Sequence, residues 1–561
     1  MTWRYRITFV GILFLFFIVI ARLFYWQVVK AQELSQLGQQ QYGTTVTLYP
    51  QRGEIMTSDG FPIATNRIAY QVFANPKEIK NIGETSLLLS KTLGIDQATI
   101  SAELSLDRYW VPIASGVESK VKDEISNFNL SGIGFEQQYT RFYPEASMAA
   151  QLLGFVGKDE YGNDKGYFGL EGYYNRLLEG KAGTAIEVHD AFGKPILSQI
   201  SQQSAQIDGS SLILSINRPI QFLAEKVLKD SIQKYGATGG MIGIMDPKTG
   251  DIIAMASFPT FDPSNYQDYS DNLYVNPFIT NTYEPGSTFK PIVMSSALNA
   301  NLITPDTQCP ICAGPVPVGG YLIHTWDDKY FPNTTMTEVI QHSDNTGMVF
   351  VAQKLGLTRM IDYLNKFGIG NMTGIDLQGE VAPSMKPPSQ WYPVDLATTG
   401  FGQGISVTPI ELLDAISAIA NNGHRMEPHV VTAVENPDGS LVKIPPKEID
   451  SPITPETAKV MTEIMINAVD KGEAAWTKLP GYRIAGKTGT ASIPINGHYD
   501  PTKTIASFVG FAPADNPKFA MLVILDKPTA SIYGAETAAP VFFEIAKDLL
   551  AYYGIPPSGG Q

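Results

Sequence analysis

The amino-acid sequence predicts an α+β protein with an N-terminal transmembrane helix, an elongated mixed α/β region and a C-terminal domain whose antiparallel sheet is flanked by helices. Three observations predict this fold class: a long apolar stretch at the N-terminus, a change in character near residue 206, and a final run of three strand-like segments followed by a helix. A chain of 561 residues is also too long for one compact domain. We expect residues 1–30 to be a cytoplasmic tip and anchor, 31–205 the mixed region, 206–552 the C-terminal domain and 553–561 a tail.

The first element is a membrane anchor. The stretch Ile7–Val29 is interrupted by one arginine and a few mildly polar residues, and it is long enough to cross the ~30 Å hydrocarbon layer as a helix. Arg4 and Arg6 precede it, so the positive-inside rule places the N-terminus in the cytoplasm. No small-residue cleavage pattern follows, which favours a retained anchor over a removed signal peptide. The sequence therefore predicts a single-pass protein of the plasma (inner) membrane with the bulk of the chain outside the cytoplasm.

Arg22 lies inside this apolar stretch, where a charge is costly. Two interpretations stay open: its side chain reaches the outer headgroups, or it faces the membrane helix of a partner.

The overall composition is that of an ordinary globular protein, with 44% hydrophobic and 17% charged residues. The 41 basic and 55 acidic residues give a net charge of −14. This balance argues against nucleic acid or an anionic lipid surface as a main partner.

After residue 206 the pattern alternates between strands and helices. SLILSIN is typical of a strand, the following residues 218–237 have apolar positions at helical spacing, and residues 240–257 form two apolar strands joined by an Asp-Pro-x-x-Gly turn. Two capped helices begin at TPIELL and TPETAK. Three predicted strands follow: YRIAGKTGTASI, TIASFVGFAP and FAMLVILD. The segment PVFFEIAKDLLAYYG then forms the last predicted helix. This order indicates an antiparallel sheet covered by helices.

Three short motifs occur in several copies, and together they are typical of acyl transfer by an activated serine. Ser-x-x-Lys begins at Ser119, Ser231, Ser287 and Ser440; Ser-Asp-Asn begins at Ser270 and Ser343; Lys-Thr-Gly begins at Lys248 and Lys487.

One copy of each motif lies in a context suited to catalysis. Ser287 follows Pro-Gly at the start of a helical pattern, where free N–H groups and a lysine one turn on, Lys290, can serve a nucleophile. Ser343 and Asn345 lie in a short connection between two predicted helices, and Lys487 lies in a strand-like segment. The small residue Gly489 there permits a close approach to the backbone.

The other copies have ordinary structural contexts. Lys248 occupies a hairpin turn and Ser270 a polar loop. Ser119, Ser231 and Ser440 lie in a charged run, at the end of an amphipathic helix and after a turn, respectively. We therefore predict that these copies are structural.

The selected motifs and several longer segments resemble one family. YEPGSTFK, TGFGQGISVTPIELL and GKTGTASIP are similar to the catalytic core of class B penicillin-binding proteins, and RGEIMTSDGFPIA and GLEGYYNRLLEGKAG are similar to their pedestal, or dimerisation, domain. The resemblance covers nearly the whole chain and implies a monofunctional peptidoglycan D,D-transpeptidase with a penicillin-binding transpeptidase domain. The segment ATTGFGQGISVTP resembles the division and sporulation branch more closely than the elongation branch.

The resemblance also implies roles for residues. Ser287 is expected as nucleophile, Lys290 as its base, Ser343 as proton relay and Lys487 as a further catalytic lysine. Asn345, Thr488, Gly489 and Thr490 are expected to bind substrate, and the backbone N–H groups of Ser287 and Thr490 to form the oxyanion hole. No metal or cofactor is expected.

The expected function is cross-linking of stem peptides with a D-Ala-D-Ala donor in septal cell-wall synthesis, with β-lactams as inhibitors. The implied partners are peptidoglycan stem peptides, the lipid-linked precursor, a SEDS-type glycan polymerase and other divisome membrane proteins. The alternative is a β-lactam-binding scaffold that regulates a glycan polymerase with weak or no catalysis. A β-lactamase would need neither the anchor nor the pedestal, and a β-lactam sensor would need several membrane helices.

Cys309 and Cys312 allow three interpretations. A disulfide that stiffens the loop and two idle thiols are both consistent with the surrounding Pro and Gly residues. A zinc site would need two more ligands, for which His324 and His342 are distant candidates.

Overall fold

The computed structural model describes residues 2–34, 37, 43–189, 195–495 and 498–558. They form two compact units. One comprises Met1–Arg52 and Glu179–Gly209, and the other comprises Gly53–Leu178 and Ser210–Gln561. The domain boundaries drawn from the sequence stay predictions.

The secondary structure is mixed, as predicted. The strands in chain order are β1 Gly43–Leu48, β2 Ile55–Met56, β3 Pro62–Ala74, β4 Val111–Val117, β5 Ile133–Phe142, β6 Phe155–Lys158, β7 Asp164–Tyr167, β8 Gly183–His189, β9 Pro195–Ser204, β10 Ser211–Leu214, β11 Gly239–Met245, β12 Ile252–Phe258, β13 Val316–Val318, β14 Tyr321–Ile323, β15 Arg425–Met426, β16 Val431–Glu435, β17 Leu441–Lys443, β18 Glu448–Asp450, β19 Ala485–Ile495, β20 His498–Ala512 and β21 Phe519–Asp526.

The α-helices are Thr2–Phe24, Ile82–Leu93, Gln97–Leu104, Ser119–Asn127, Ala150–Leu153, Gly169–Tyr173, Asn175–Leu178, Arg218–Tyr235, Pro277–Thr280, Lys290–Asn299, Met336–Gln341, Asn345–Leu355, Leu357–Lys366, Pro393–Thr399, Pro409–Ala420, Pro455–Lys471 and Ala538–Tyr552. Short 3₁₀ turns are Pro76–Glu78, Pro263–Asp268, Asp271–Leu273, Gly286–Phe289, Pro388–Gln390 and Ala475–Thr477, and Tyr25–Val29 is a π-helical turn.

The first unit contains the predicted apolar helix. Thr2–Val29 has a mean hydropathy of 2.7 and is the one stretch among the described residues that is long and apolar enough to cross a membrane. The guanidinium of Arg22 lies 5.3 Å from the centre of the Trp26 ring, a cation–π contact within its own helix. The same unit has a three-stranded antiparallel sheet in the order β1-β8-β9.

The second unit contains a seven-stranded sheet in the order β17-β16-β10-β2-β3-β4, with β5 paired to β3. Strands β2 and β10 are parallel, and the other pairs are antiparallel. The far end of this sheet is covered by Ile82–Leu93, Gln97–Leu104 and Ser119–Asn127, which bury Leu89, Leu104 and Ile125 against Val72 and Val111. This packing gives the mixed region its own apolar core.

The same unit also contains the five-stranded antiparallel sheet β12-β11-β21-β20-β19. Alternate residues of β11 and β21 belong to different core clusters, because successive side chains of a strand point to opposite faces. One face packs against Arg218–Tyr235 and Ala538–Tyr552, and the other against Lys290–Asn299 and Pro409–Ala420. The predicted antiparallel sheet flanked by helices is therefore confirmed as a three-layer domain.

Local signals in the sequence place these helices. Asn217 caps the helix Arg218–Tyr235 by accepting a hydrogen bond from Ile220 N, and Gly236 ends it with a φ of +62°. Thr408 and Glu411 form a reciprocal capping box at the start of Pro409–Ala420. The predicted helix starts at TPIELL and TPETAK are confirmed.

Candidate active site

The turn that carries Ser287 is fixed by its neighbours. Gly286 has a φ of +55°, a left-handed conformation that favours glycine, and its N–H donates to the Gly402 carbonyl at 3.0 Å. The 3₁₀ turn Gly286–Phe289 leads directly into the helix Lys290–Asn299. Pro291 lies at the start of that helix, where its missing N–H removes no helical hydrogen bond.

Ser343 lies in the predicted connection between two helices. Met336–Gln341 ends just before it, and Asn345–Leu355 begins with Asp344 as N-cap, whose Oδ1 accepts from two backbone N–H groups at 2.7 and 3.2 Å. Ser343 has a φ of +53°, which is strained for a non-glycine residue. In this conformation its Oγ lies 2.9 Å from the Oγ of Ser287 and donates a hydrogen bond to it.

Lys290 connects these elements from inside the protein. Its side chain is 0% exposed, and its Nζ donates to the carbonyl oxygen of Ser343 at 2.5 Å, to Ser343 Oγ at 3.2 Å and to Asn345 Oδ1 at 2.9 Å. Burial, and then the positive charge of Lys487, lower the pKa of Lys290 to about 7. A large fraction of Lys290 is therefore neutral, and able to accept a proton, at neutral pH.

Strand β19 supplies the next group. Lys487 is 3% exposed, burial lowers its pKa, and its Nζ donates to Thr488 Oγ1 at 2.9 Å. The Thr488 hydroxyl in turn donates to Glu473 Oε2 at 2.7 Å. Thr490 Oγ1 accepts from the N–H of Gly534 at 3.0 Å.

Gly489 lets the nucleophile turn pack against this strand. A Cβ at position 489 would lie 2.4 Å from Ser507 Oγ, 2.8 Å from Thr288 Cγ2 and 3.3 Å from the Pro285 carbonyl oxygen. A side chain here would push away either strand β20 or the turn that precedes Lys290. The close approach expected from the sequence thus brings together the Ser287 turn and the strand.

These groups border one cleft of about 740 Å³. The predicted residues Ser287, Ser343, Asn345, Thr488 and Thr490 line it, while Lys290 and Lys487 are buried in its wall. The arrangement provides a hydroxyl linked to a low-pKa amine, with further donors beside it, as acyl transfer through a serine requires.

The other motif copies lie elsewhere. Ser270 is exposed, and its Oγ donates to Asn272 Oδ1 at 2.5 Å within the same loop. Lys248 is exposed in the turn between β11 and β12, where its Nζ donates to Asn516 Oδ1 at 2.5 Å. Neither is among the described residues that line the cleft.

Sequence reasoning missed several cleft residues, among them Glu473, Trp326 and Tyr533. Glu473 lies in the turn after Pro455–Lys471 and lines the cleft. Trp326 and Tyr533 also line it, and their rings meet edge to face with centres 5.5 Å apart. No motif spacing points to these residues, because they come from loops whose positions depend on the tertiary fold.

The two cysteines form a disulfide, Cys309–Cys312, so the first of the three interpretations is the one that the structure shows. The His342 ring instead stacks on Phe331 with centres 4.2 Å apart, and the His324 carbonyl accepts from Asn345 Nδ2 at 3.1 Å. Across the described ranges there is no group of three or more potential metal-binding side chains.

Comparison with known families matches both halves of the chain. Residues 240–547 match the penicillin binding protein transpeptidase domain, and residues 47–214 match the penicillin-binding protein dimerisation domain.

Individual relatives extend over the full length. "Stage V sporulation protein D" of Bacillus subtilis is 33% identical, over 100% of this chain and 88% of the relative. "Probable peptidoglycan D,D-transpeptidase PenA" of Neisseria meningitidis is 29% identical, over 100% of this chain and 94% of the relative. The crystal structure of penicillin binding protein 3 from Mycobacterium tuberculosis in complex with ampicillin has a TM-score of 0.72 and 26% identity, and covers 92% of this chain and 98% of that one.

Proposed function

The chain belongs to the class B penicillin-binding proteins, and from that premise we propose that it cross-links peptidoglycan stem peptides through an acyl-enzyme on Ser287. Serine-type D-Ala-D-Ala transpeptidation is the activity of the family. The single observation that carries the proposal is the hydroxyl chain from Ser287 through Ser343 to the amine of Lys290, whose pKa is lowered to about 7 by burial and the charge of Lys487.

Acylation begins when Ser287 Oγ attacks the carbonyl carbon of the penultimate D-Ala. A C–O bond forms, and the hydroxyl proton moves through Ser343 Oγ to neutral Lys290, since hydroxyl groups both donate and accept. The C–N bond to the terminal D-Ala then breaks, and the proton returns through Ser343 to the leaving amine. The backbone N–H groups of Ser287 and Thr490 stabilise the oxyanion.

The strand residues hold the donor peptide. Its terminal carboxylate is an anion, to which Lys487 offers a cation and the Thr490 hydroxyl a donor. The Thr488 hydroxyl becomes a second donor when it turns from Glu473 to the carboxylate. Asn345 holds the peptide amide. Gly489 contributes by leaving room between strand β19 and the turn that carries Ser287.

The second half-reaction transfers the acyl group to an amine of a neighbouring stem peptide, and needs no cofactor. We place this activity in septal synthesis, because the sequence resembles the division and sporulation branch. The anchor has its N-terminus in the cytoplasm and the catalytic unit outside the plasma membrane. A SEDS-type glycan polymerase, which supplies strands from lipid-linked precursor, and other divisome membrane proteins are the proposed partners.

Mass spectrometry of the full chain in detergent, after exposure to a penicillin, tests the nucleophile. We expect one drug mass on the peptide that contains Ser287 and none in the Ser287→Ala variant. A variant that is still labelled would refute the assignment. A scaffold without catalysis would bind penicillin but would not turn over a D-alanyl thioester. Turnover of this thioester therefore distinguishes a transpeptidase from a scaffold.

A further inference from the structure

One carboxylate beside the catalytic residues has no role in the mechanism above. Glu473 is half-buried and lines the cleft together with Thr488. It lies between the helix Pro455–Lys471 and the short turn Ala475–Thr477. Hydrogen bonds connect it to Thr488 and, through the Thr488 hydroxyl, to Lys487. Glu473 is therefore joined to two of the residues that bind the substrate carboxylate in the proposed function.

The hydrogen bonds at Thr488 run in one direction. Lys487 Nζ donates to Thr488 Oγ1 at 2.9 Å and to the Thr488 carbonyl oxygen at 3.2 Å. A hydroxyl group has a single proton to donate, and Thr488 donates it to Glu473 Oε2 at 2.7 Å. In this arrangement the Thr488 hydroxyl has no proton left for a molecule in the cleft.

The charge of Glu473 also acts on both buried lysines. Burial lowers the pKa of Lys487, and the negative charge of Glu473 opposes that effect. The pKa of Lys290 is lowered by burial and by the charge of Lys487, and the charges of Asp344 and Glu473 oppose this. Glu473 therefore serves as a counter-anion to the ammonium group of Lys487, with the Thr488 hydroxyl between them.

A donor peptide would present the same chemistry to these residues. Its terminal carboxylate would accept hydrogen bonds from Lys487 and Thr488, as Glu473 Oε2 accepts the Thr488 proton in the structure. One hydroxyl proton cannot serve two carboxylates at once, and two anions close to each other in a partly buried site repel. The substrate carboxylate and Glu473 thus compete for one donor.

Other carboxylates near the cleft have different partners. The Oδ1 atom of Asp344 accepts from the first N–H groups of the helix that follows it. Asp327 lines the adjoining pocket and pairs with Lys329 at 3.1 Å. Glu536 lines the cleft but is exposed to solvent. Of the carboxylates in the described part of the chain, Glu473 is the one that accepts the Thr488 proton.

We propose that Glu473 sets the specificity of the carboxylate site: it holds Thr488 and Lys487 in the arrangement that a substrate carboxylate uses, and it releases the Thr488 proton when that carboxylate binds. The inference rests on the proposed function, in which Lys487, Thr488 and Thr490 bind the donor's terminal carboxylate. Glu473 acts through Thr488 and Lys487, so it is a positioning residue. Its negative charge weakens the preference of the site for anionic donors, and loss of that charge should strengthen the preference.

Two forms of one donor test this role. The full chain in detergent is given the benzoyl-D-alanyl thioester of thioglycolate, which carries a carboxylate, and the methyl ester of the same compound. The ratio of kcat/KM for the acid to kcat/KM for the ester measures the preference for the anion. Glu473→Gln keeps an acceptor for Thr488 but removes the charge, and we expect it to raise this ratio about fivefold because the repulsion between two carboxylates is lost. Asp327→Asn removes a carboxylate that lines the adjoining pocket and not the cleft, and it should leave the ratio within about twofold.

The pH profile of penicillin acylation is the second readout. Without the charge of Glu473 the pKa of Lys290 falls further, so the midpoint of the profile should move towards acid by about half a pH unit in Glu473→Gln. It should not move in Asp327→Asn. A purely structural role for Glu473 would lower the rate without moving the midpoint. Glu473→Ala, which removes both the charge and the acceptor, takes the place of the glutamine variant if thermal melting shows that the latter is unfolded.

The outcomes separate this inference from the proposed function. An unchanged ratio or an unmoved midpoint in a folded Glu473 variant would overturn the inference, and so would an equal rise of the ratio in Asp327→Asn. A wild-type chain whose Ser287 is not labelled by penicillin would instead overturn the proposed function itself.

Discussion

The two Ser-Asp-Asn tripeptides of this chain have the same side chains in opposite surroundings. At the first, Ser270 is exposed, has a φ of −78° and, among the residues that the structure describes, bonds within its own loop. At the second, Ser343 is 3% exposed, has a φ of +53° and bonds to Ser287 and Lys290. The comparison teaches that one tripeptide can take two backbone conformations and two degrees of burial, and these differences are the ground for proposing a catalytic role for Ser343 alone.

The loop of Ser270 has a packing role. Tyr266 stacks on Phe155 with ring centres 4.2 Å apart, and Tyr274 meets the Phe155 and Phe261 rings edge to face. These aromatic contacts attach the loop to the strand β6. The serine itself stays in solvent.

The two Lys-Thr-Gly copies differ in the same way. Lys248 lies in a solvent-exposed hairpin turn, whereas Lys487 is buried in β19 beside the cleft. Burial lowers the pKa of Lys487, and its charge lowers that of Lys290. Only the buried lysine can therefore influence the proposed base.

The largest expected effect comes from Lys290→Arg. A guanidinium stays protonated at all accessible pH values, so acylation by penicillin should fall at least a thousandfold. Stopped-flow or quench measurement of the acylation rate checks this. Lys290→Ala is the companion variant that removes the base without adding bulk, and a near wild-type rate in either variant would show that another group takes the proton. Thermal melting of both variants separates lost chemistry from unfolding.

The next largest effect sharpens the lysine comparison. Lys487→Ala should slow acylation at least a hundredfold, the usual scale for loss of an electrostatic group at a reaction centre. Lys248→Ala should change it less than about threefold, a barrier change below ~1 kcal/mol. Equal effects in the two variants would mean that Lys248, in the hairpin turn, also contributes to acylation.

The pH dependence of acylation tests the buried environment. Lys290 must be neutral to accept a proton, and its pKa is about 7 because of burial and the charge of Lys487. The acylation rate should therefore rise with pH, and should be about tenfold lower at pH 6 than on the plateau above pH 8. A flat profile over this range would contradict a lysine base with that pKa.

The smallest effect distinguishes the two glycines of the Lys-Thr-Gly copies. Gly489→Ala should slow acylation about fivefold, ~1 kcal/mol in barrier, because its Cβ would lie 2.8 Å from Thr288 Cγ2 and 2.4 Å from Ser507 Oγ. Gly250→Ala should instead lower the melting temperature with acylation retained, because Gly250 has a φ of +85° in the distant turn. The reverse pattern would show that the strand with Gly489 and the turn with Gly250 had been assigned to the wrong roles.

Local patterns in the sequence were sufficient for the helices that begin at TPIELL and TPETAK and for the hairpin of β11 and β12, whereas the choice among motif copies stays a prediction. Pro285 and Gly286 marked the start of the Ser287 turn, and Thr408 and Thr454 marked helix starts. These features depend on neighbours in the chain, so sequence reasoning can find them.

Features that depend on distant segments could not be found in this way. Glu473 meets Thr488, and Trp326 meets Tyr533, only after the sheet and its loops have folded together. Strands β2 and β10 pair in parallel, although they lie on either side of the domain boundary predicted at residue 205. That boundary was drawn from a change in composition, which does not indicate which strands pair.

The most direct test of the account compares the two serines, Ser343→Ala and Ser270→Ala, in one experiment. The second-order rate of penicillin acylation is measured for both variants, with thermal melting to confirm that each is folded. We expect Ser343→Ala to be at least a hundredfold slower than the wild-type chain, because the hydroxyl between Ser287 and Lys290 is lost, and Ser270→Ala to stay within about threefold. A slow Ser270→Ala beside a fast Ser343→Ala would contradict the assignment of the active site by structural context.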